Sequence, residues 1–586
     1  MILIRNLLPY IRPHAWVFAL GIAGLFLARV FEALVPLFLK QGIDSIAAAA
    51  PELILPTLGI AMAALMRYIF ISISRRYIRI IGLKVCYELR RQIYNHLQYQ
   101  DGRFFSRFPT GDLMARAIND INLIRQFVSA GLRTILVIIF SATVGFAFMF
   151  YESPSLTLLI LPPLPIIAYS AYLMSKKLYE NSTNVQEGFS VVSSQTQENL
   201  NGIRTIQAQV QEQREITAFN QVNDQYANHY MDLVRSESRL AALMPFFGGC
   251  CTILVLGFGG QKVLSGEISI GTFSSFFWYL AMVLWPIRTA GQMVTQWQRT
   301  SSACTRIFEI LHHKTPINDE RASTKAPAIK GQISFKSLSF SYLDQAHQRN
   351  LVLNNLTLEI TTGETLAIIG KIGSGKSTFL RALVRMIDVP ENQIYIDNQE
   401  IHRYPLQQLR REVALVLQDP FLFADTVGAN ITYDQPDREK QIIWQAARDA
   451  QLESTIKTLP KSIDTVIGER GITLSGGQKQ RSTLARGLIR NAPILLLDDC
   501  FSAVDTETEE KILSNLLKLR RNKTTLLVSH RASTARHADR ILVLDQGSIA
   551  EIGSHQQLMS INGHYAKLLE SQGLKETLKR KLNTSA

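Results

Sequence analysis

Residues 365–384 read TLAIIGKIGSGKSTFLRALV, an apolar run, a glycine-rich turn, a lysine beside two hydroxyls, and then apolar residues at helical spacing. Gly370, Lys371, Ile372, Gly373, Ser374, Gly375, Lys376, Ser377 and Thr378 satisfy GxxxxGK[ST]. The glycines let backbone amides turn toward a phosphate chain, and the following helix adds its N-terminal donors. Lys376 brings a point charge to the β- and γ-phosphates, and Ser377 brings a magnesium ligand. The apolar strand before and the amphipathic helix after are the context this motif requires.

Other apolar runs around it also end in polar groups. In ILLLDDCFSAVD, residues 494–505, Asp498 closes a buried strand where it would hold magnesium. Gln418 closes LVLQ, within reach of the metal or an attacking water, and His530 closes TTLLVSH, within reach of a terminal phosphate. Any one of these is an ordinary strand-end residue. Three of them in one phosphate-loop domain form a site. Upstream, GQISFKSLSFSY and LEITTGETLAIIG alternate as strands do.

The first half of the chain is built differently. At 586 residues the chain exceeds one core. Its mean hydropathy of +0.08 with 19% charged residues averages a very apolar region with an ordinary soluble one. About 20 apolar residues cross roughly 30 Å of hydrocarbon, and six runs reach that length, near 16–39, 53–74, 134–151, 155–175, 240–261 and 269–287. Arginines and lysines crowd the segments between the second and third runs and between the fourth and fifth. The third meets the fourth through Glu152, Ser153 and Pro154. This bias places the two long segments and both termini in the cytoplasm. It also assigns much of the net charge of +14 to membrane orientation, not to nucleic acid.

The long segments mix charge and apolar residues at helical spacing and read as legs. Their tips are expected near Phe104, Phe105 and Gly111, and near Asn201 and Gly202. Arg29 and Glu32, three apart, can pair on one helix face, as a structural intramembrane pair or as a pore-facing site, and Arg67 is expected to snorkel toward the interface. Residues 312–330 read as a polar linker, with His312 and His313 solvated. The five scattered cysteines have no metal spacing and read as reduced thiols. The N-terminus shows no removable signal peptide.

Leu474, Ser475, Gly476, Gly477 and Gln478 spell LSGGQ before KQRSTLARGLI, a second helix N-terminus suited to an anion. LSGGQ between the phosphate loop and ILLLDD, with Gln418 and His530, resembles the ATP-binding-cassette ATPases. Six spans followed by a cassette, FPTGDLMARAINDI, and Gly468, Glu469, Arg470, Gly471 before LSGGQ resemble an exporter-type half-transporter. The resemblance implies a membrane all-α six-helix transmembrane domain (1–311), a linker (312–330), an α/β P-loop ATP-binding cassette (331–572) and a basic tail (573–586).

It also implies ATP and Mg2+ as cofactors, with Tyr342 stacking on adenine. Ser475, Gly476, Gly477 and Gln478 would meet the γ-phosphate held by an opposite subunit, and the 502–505 turn would cross the dimer interface. Gln418 and the 468–471 stretch would sense the leg tips. The metal would lie among Ser377, Gln418 and Asp498, and the chemistry among Asp499, His530 and Gln418.

The family's general base is a glutamate after the magnesium aspartate, and here it is Asp499. Its carboxylate is one methylene, about 1.5 Å, shorter. Loss of a positioned base costs about 10²–10⁴-fold in rate. The chain is thus expected to hold ATP, hydrolyse it slowly, and lend its intact LSGGQ to a partner. That resembles the degenerate-site subunit of a heterodimeric bacterial exporter, with a tolerant homodimer as the alternative.

The expected activity is ATP-driven export of amphipathic drugs or lipids across the inner (cytoplasmic) membrane by alternating access. A homodimeric lipid flippase, an exporter-fold importer and an ATP-gated channel are the alternatives. The partners are then a second half-transporter, the lipid bilayer and the substrate, with no nucleic acid. A soluble P-loop ATPase is excluded by the six spans.

Overall fold

The computed structural model describes residues 2–48, 53–323, 326–343, 349–468, 471 and 473–571. The chain divides into two compact units, Met1–Tyr99 with Phe108–His313, and Gln100–Arg107 with Lys314–Ala586. The basic tail at 573–586, Glu469 and Arg470 lie outside the described residues.

The first unit is helical. Its elements are α1 (Ile2–Ile11), α2 (Ala15–Ala47), α3 (Ile54–Leu97), α5 (Thr110–Glu152), α6 (Pro154–Asn201), α7 (Ile203–Ala208), α8 (Glu212–Leu264) and α9 (Ile270–Leu311). The intervening α4 (Gly102–Arg107) belongs to the second unit. Among the described residues five helices, Arg5–Ala47, α3, α5, α6 and α8, are long and apolar enough to cross a membrane. The sixth expected run coincides with the shorter apolar stretch Ile270–Leu284 that begins α9.

These helices outrun the bilayer. The 44 residues of α3 rise about 66 Å at 1.5 Å each, twice the hydrocarbon thickness of about 30 Å. The excess extends beyond the hydrocarbon, and α6 ends at its C-cap Gly202. The tandem prolines interrupt α6 with a turn at Leu161 and Pro162, because proline removes a backbone donor and clashes with the preceding turn.

Several charged groups inside the bundle are paired. Arg29 Nη1 lies 2.5 Å from Glu32 Oε2, and Arg67 Nη2 lies 2.9 Å from Glu32 Oε1. Arg67 therefore shares the carboxylate with Arg29. Between the ends of α2, α5 and α9, Lys40 Nζ donates to the buried Glu152 at 2.5 Å, and Thr272 Oγ1 donates to the same carboxylate at 3.3 Å. Asp44 accepts from Gly271 N at 2.8 Å and Ser269 Oγ at 2.7 Å, capping α9.

The second unit is an α/β cassette. A six-stranded sheet runs β10–β9–β3–β8–β7–β6. Its members are β3 (Thr365–Gly370), β6 (Val413–Val416), β7 (Ile494–Asp498), β8 (Thr524–Val528), β9 (Arg540–Asp545) and β10 (Ser548–Gly553). All pairs are parallel except β9 with β10. Strands β3, β7 and β8 are buried throughout, as continuous aliphatic runs covered on both faces must be. A second, antiparallel sheet runs β2–β1–β4–β5, with β1 (Ile333–Leu343), β2 (Arg349–Ile360), β4 (Ile394–Ile396) and β5 (Gln399–Glu400).

Cys500 follows β7 and is buried. Burial, aided by the neighbouring Asp499, pushes its thiol well above the ordinary range. Maleimide is expected to leave Cys500 unmodified in the folded protein and to label it in denaturant, read by mass spectrometry of the peptide. Labelling at equal rates in both conditions would contradict this packing.

Candidate nucleotide site

In an open parallel sheet, ligands gather beyond the carboxyl ends of the strands. Here β3, β7 and β8 place the 370–378 loop, Asp498 and the Ser529–His530 peptide side by side, and Gln418 follows β6. The loop leads from β3 into α10 (Lys376–Leu383). Gly375 caps α10 at φ +95°, and a Cβ there would stand 2.8 Å from Val352 O. Only glycine fits both demands. Ile372 projects from the loop, 92% exposed.

Lys376 is buried, and its Nζ donates to Gly370 O and Lys371 O at 2.8 Å each. Burial pulls its pKa below the usual lysine range, opposed by Asp499 and Asp498. The ammonium thus ties the two ends of the loop together. Tyr342 Oη lies 3.5 Å from Thr378 Oγ1, so the predicted base-stacking tyrosine sits at the foot of the loop.

Ser377 Oγ donates to Asp498 Oδ1 at 2.9 Å. The other oxygen, Asp498 Oδ2, is buried without a hydrogen-bond partner among the described residues. Burial pushes this carboxyl above its usual range, and the Ser377 bond opposes the shift. A buried carboxylate oxygen left unpaired is costly, and a hard divalent cation beside Ser377 would satisfy it. The residues fit magnesium.

Asp499 is also buried. Its backbone takes φ +43°, a left-handed conformation that aspartate tolerates better than most residues. Its N–H donates to Val528 O at 3.0 Å. The carboxylate lies 3.4 Å from Gln418 Nε2 and 4.0 Å from His530 Nε2. Burial raises its pKa, opposed first by His530. The three residues predicted for the chemistry are thereby brought together.

The LSGGQ stretch opens α11 (Gly476–Leu488). Ser475 Oγ accepts from Gln478 N at 3.4 Å, while Gln478 Oε1 accepts from Ser475 N at 2.9 Å. This reciprocal cap satisfies two helix-end donors and fixes the exposed serine. Gly477 is required by a close approach, since a Cβ there would stand 2.7 Å from Ala503 O.

The motifs did not single out three residues around the 502–505 turn. Gln480 is buried, with Nε2 donating to Ser502 Oγ at 2.8 Å and Oε1 accepting from Ala503 N at 2.8 Å. Arg531 donates to Val504 O at 3.3 Å and to Ser502 O at 3.5 Å. Buried Glu509, on α12 (Thr506–Leu519), accepts from Arg531 Nη1 and Thr534 Oγ1. Their signal in the sequence is weak, since Gln480 and Arg531 are polar residues one or two places beyond a recognised motif and Glu509 lies inside the helix that follows the turn.

In the second unit α4 buries Phe104, whose N–H donates to Asp101 Oδ1 at 3.0 Å, and Arg103 reaches Asp388 at 3.4 Å. This is the predicted tip of the first leg.

Family models agree with both units. One for the ABC transporter transmembrane region matches residues 18–287, and one for the ABC transporter matches 353–502. The chain is 31% identical over 97% of its length, and 97% of the relative's, to the uncharacterized ABC transporter ATP-binding protein YknU of Bacillus subtilis (strain 168). It is 35% identical, over 83% of both chains, to the probable multidrug resistance ABC transporter ATP-binding/permease protein YheI of the same organism. It is 33% identical to the ATP-dependent lipid A-core flippase of Syntrophus aciditrophicus (strain SB), over 98% of this chain and 95% of that one.

Proposed function

The chain belongs to the ABC transporters as an exporter-type half-transporter, a multi-pass membrane ATPase coupled to transport, and from that premise we propose that it is the slow-hydrolysing half of a heterodimeric exporter of amphipathic molecules. The observation that carries this reading is Asp499 beside Asp498, with its short carboxylate drawn to Gln418. Exporters built from half-transporters work as dimers, so two nucleotides would be sandwiched between the phosphate loop of one cassette and the LSGGQ of the other.

In this reading Lys376 and the loop amides bind the phosphates. A magnesium ion held by Ser377 and Asp498 would neutralise their developing charge. Asp499 reaches the attacking water poorly, while Ser475, Gly476, Gly477 and Gln478 complete the partner's site. Nucleotide binds the closed pair of cassettes more tightly than the open pair, and that differential affinity drives the membrane helices from inward to outward opening. Hydrolysis on the partner's side resets the cycle. The cassette and both termini would lie in the cytoplasm, at the inner membrane.

A homodimeric lipid flippase is the second reading, favoured by the relatives that carry that name. The test is turnover by the chain purified alone in lipid nanodiscs. Slow phosphate release, little changed by Asp499→Asn and raised by co-expression with a second half-transporter that carries glutamate at the matching position, is the expected result. Ordinary exporter turnover that Asp499→Asn abolishes would establish the homodimer. In vesicles holding the assembled pair, ATP-dependent accumulation of an amphipathic dye against its gradient separates a pump from a channel.

A further inference from the structure

The 502–505 turn is gripped from two sides. On one side Gln480, 4% exposed, gives and takes one hydrogen bond each with Ser502 Oγ and Ala503 N, both at 2.8 Å. Gln480 lies one turn into α11, the helix whose N-terminus presents Ser475, Gly476 and Gly477. On the other side Arg531, the neighbour of His530, donates to the carbonyls of Val504 and Ser502. Arg531 is held in turn by the buried Glu509, which also takes Thr534 Oγ1, and its own N–H donates to Ser529 Oγ at 2.9 Å. Gly477 approaches Ala503 O too closely for a side chain, so the turn and the helix end are packed backbone to backbone.

We propose that Gln480 is a positioning residue for ATP hydrolysis, and that with Arg531 it makes the 502–505 turn a rigid bridge between the His530 side of this chain's own phosphate site and the LSGGQ donors it presents to the partner's nucleotide. The proposal rests on the sandwich-dimer reading above. A shift of the strand-end residues around a bound phosphate would move Arg531, and through the turn and Gln480 it would move the start of α11. Two hydrogen bonds to the buried Gln480 side chain transmit such a displacement, because leaving its amide unpaired is costly. Gln480 touches neither nucleotide nor water in this scheme. It acts through the helix end it holds.

The test compares Gln480→Leu, which keeps the volume and loses both bonds, with Gln480→Glu, which still accepts from Ala503 N and lets Ser502 donate. Both variants are measured in the assembled full-length dimer in lipid nanodiscs, with ATP as the probe. Gln480→Leu is expected to lower kcat about tenfold while KM and the affinity for a fluorescent ATP analogue stay within about twofold. Gln480→Glu is expected to recover to within about threefold of the parent. Parental turnover in Gln480→Leu, a matching rise in its KM, or a Gln480→Glu variant as slow as Gln480→Leu would each overturn the proposal.

Should Gln480→Leu fail to fold, Ser502→Ala carries the test. It removes one bond, with an expected drop in kcat of about threefold at unchanged KM, and parental kcat would overturn the proposal. Asp499→Asn measured alongside separates the two ideas. If it abolishes turnover the slow-site reading falls, while the split between kcat and KM at position 480 still decides this one.

Discussion

Asp499→Glu is expected to raise phosphate release from the chain's own site by about 10–100-fold, approaching the contribution of a well-placed general base. The longer side chain gains one methylene, about 1.5 Å of reach. That takes its carboxylate past Gln418 Nε2, now 3.4 Å from Asp499, toward the space before the loop. His530, 4.0 Å away, stays available to either residue. The gain comes at some structural cost. Position 499 has φ +43°, and a longer residue held in the left-handed region costs about 1 kcal/mol or more. A modest drop in melting temperature should therefore accompany the faster turnover. Single-turnover phosphate release by the self-paired chain is the measurement. Unchanged release with intact ATP binding would show that side-chain length at this position is not what limits the site.

Lys376→Ala is expected to abolish hydrolysis and to weaken ATP binding at the same cassette by about two orders of magnitude. Hydrogen bonds to charged groups contribute about 1.5–3 kcal/mol, and the lysine supplies a charge-assisted contact to the phosphates. Its ammonium also organises the loop before nucleotide arrives, through Gly370 O and Lys371 O. Arginine is no substitute. The ammonium occupies a buried niche, and a planar fork demands a different geometry. Thermal shift offers a readout independent of catalysis. At 100 times the dissociation constant, ATP stabilises the folded state by about 2.7 kcal/mol, and the variant should lose most of that shift. An undiminished ATP-induced shift would remove Lys376 from the binding machinery.

Much of this was legible along the chain because the decisive groups are local. Glycines, lysine and serine within nine consecutive residues make the phosphate loop, and aliphatic runs ending at Val416, Asp498 and Val528 are self-evident buried strands. Contacts made over long separations were not legible. Lys40 meets Glu152, and Arg67 meets Glu32, through helix packing that no spacing rule encodes. The π-helical turns at Arg116–Asp120 and Phe127–Gly131 carry no residue signature comparable to proline or a capping serine. The left-handed backbone at Asp499 follows from the strand ending against Val528 O, and tertiary structure alone supplies that acceptor. Gln480 resembles its half-buried polar neighbours Gln478, Lys479 and Arg481 in composition. Only the fold reveals that it faces inward.

The short stretch Gln100–Arg107 lies between two membrane helices in sequence and within the cassette unit in space. Peptide bonds therefore pass between the units at three places along the chain, after Tyr99, after Arg107 and after His313. Engineered hybrids that exchange cassettes at the polar connector alone would strand a foreign insert inside each new cassette, with Phe104 and Arg103 facing neighbours they did not evolve against. Grafts that carry both fragments together respect the modular boundary this protein actually has.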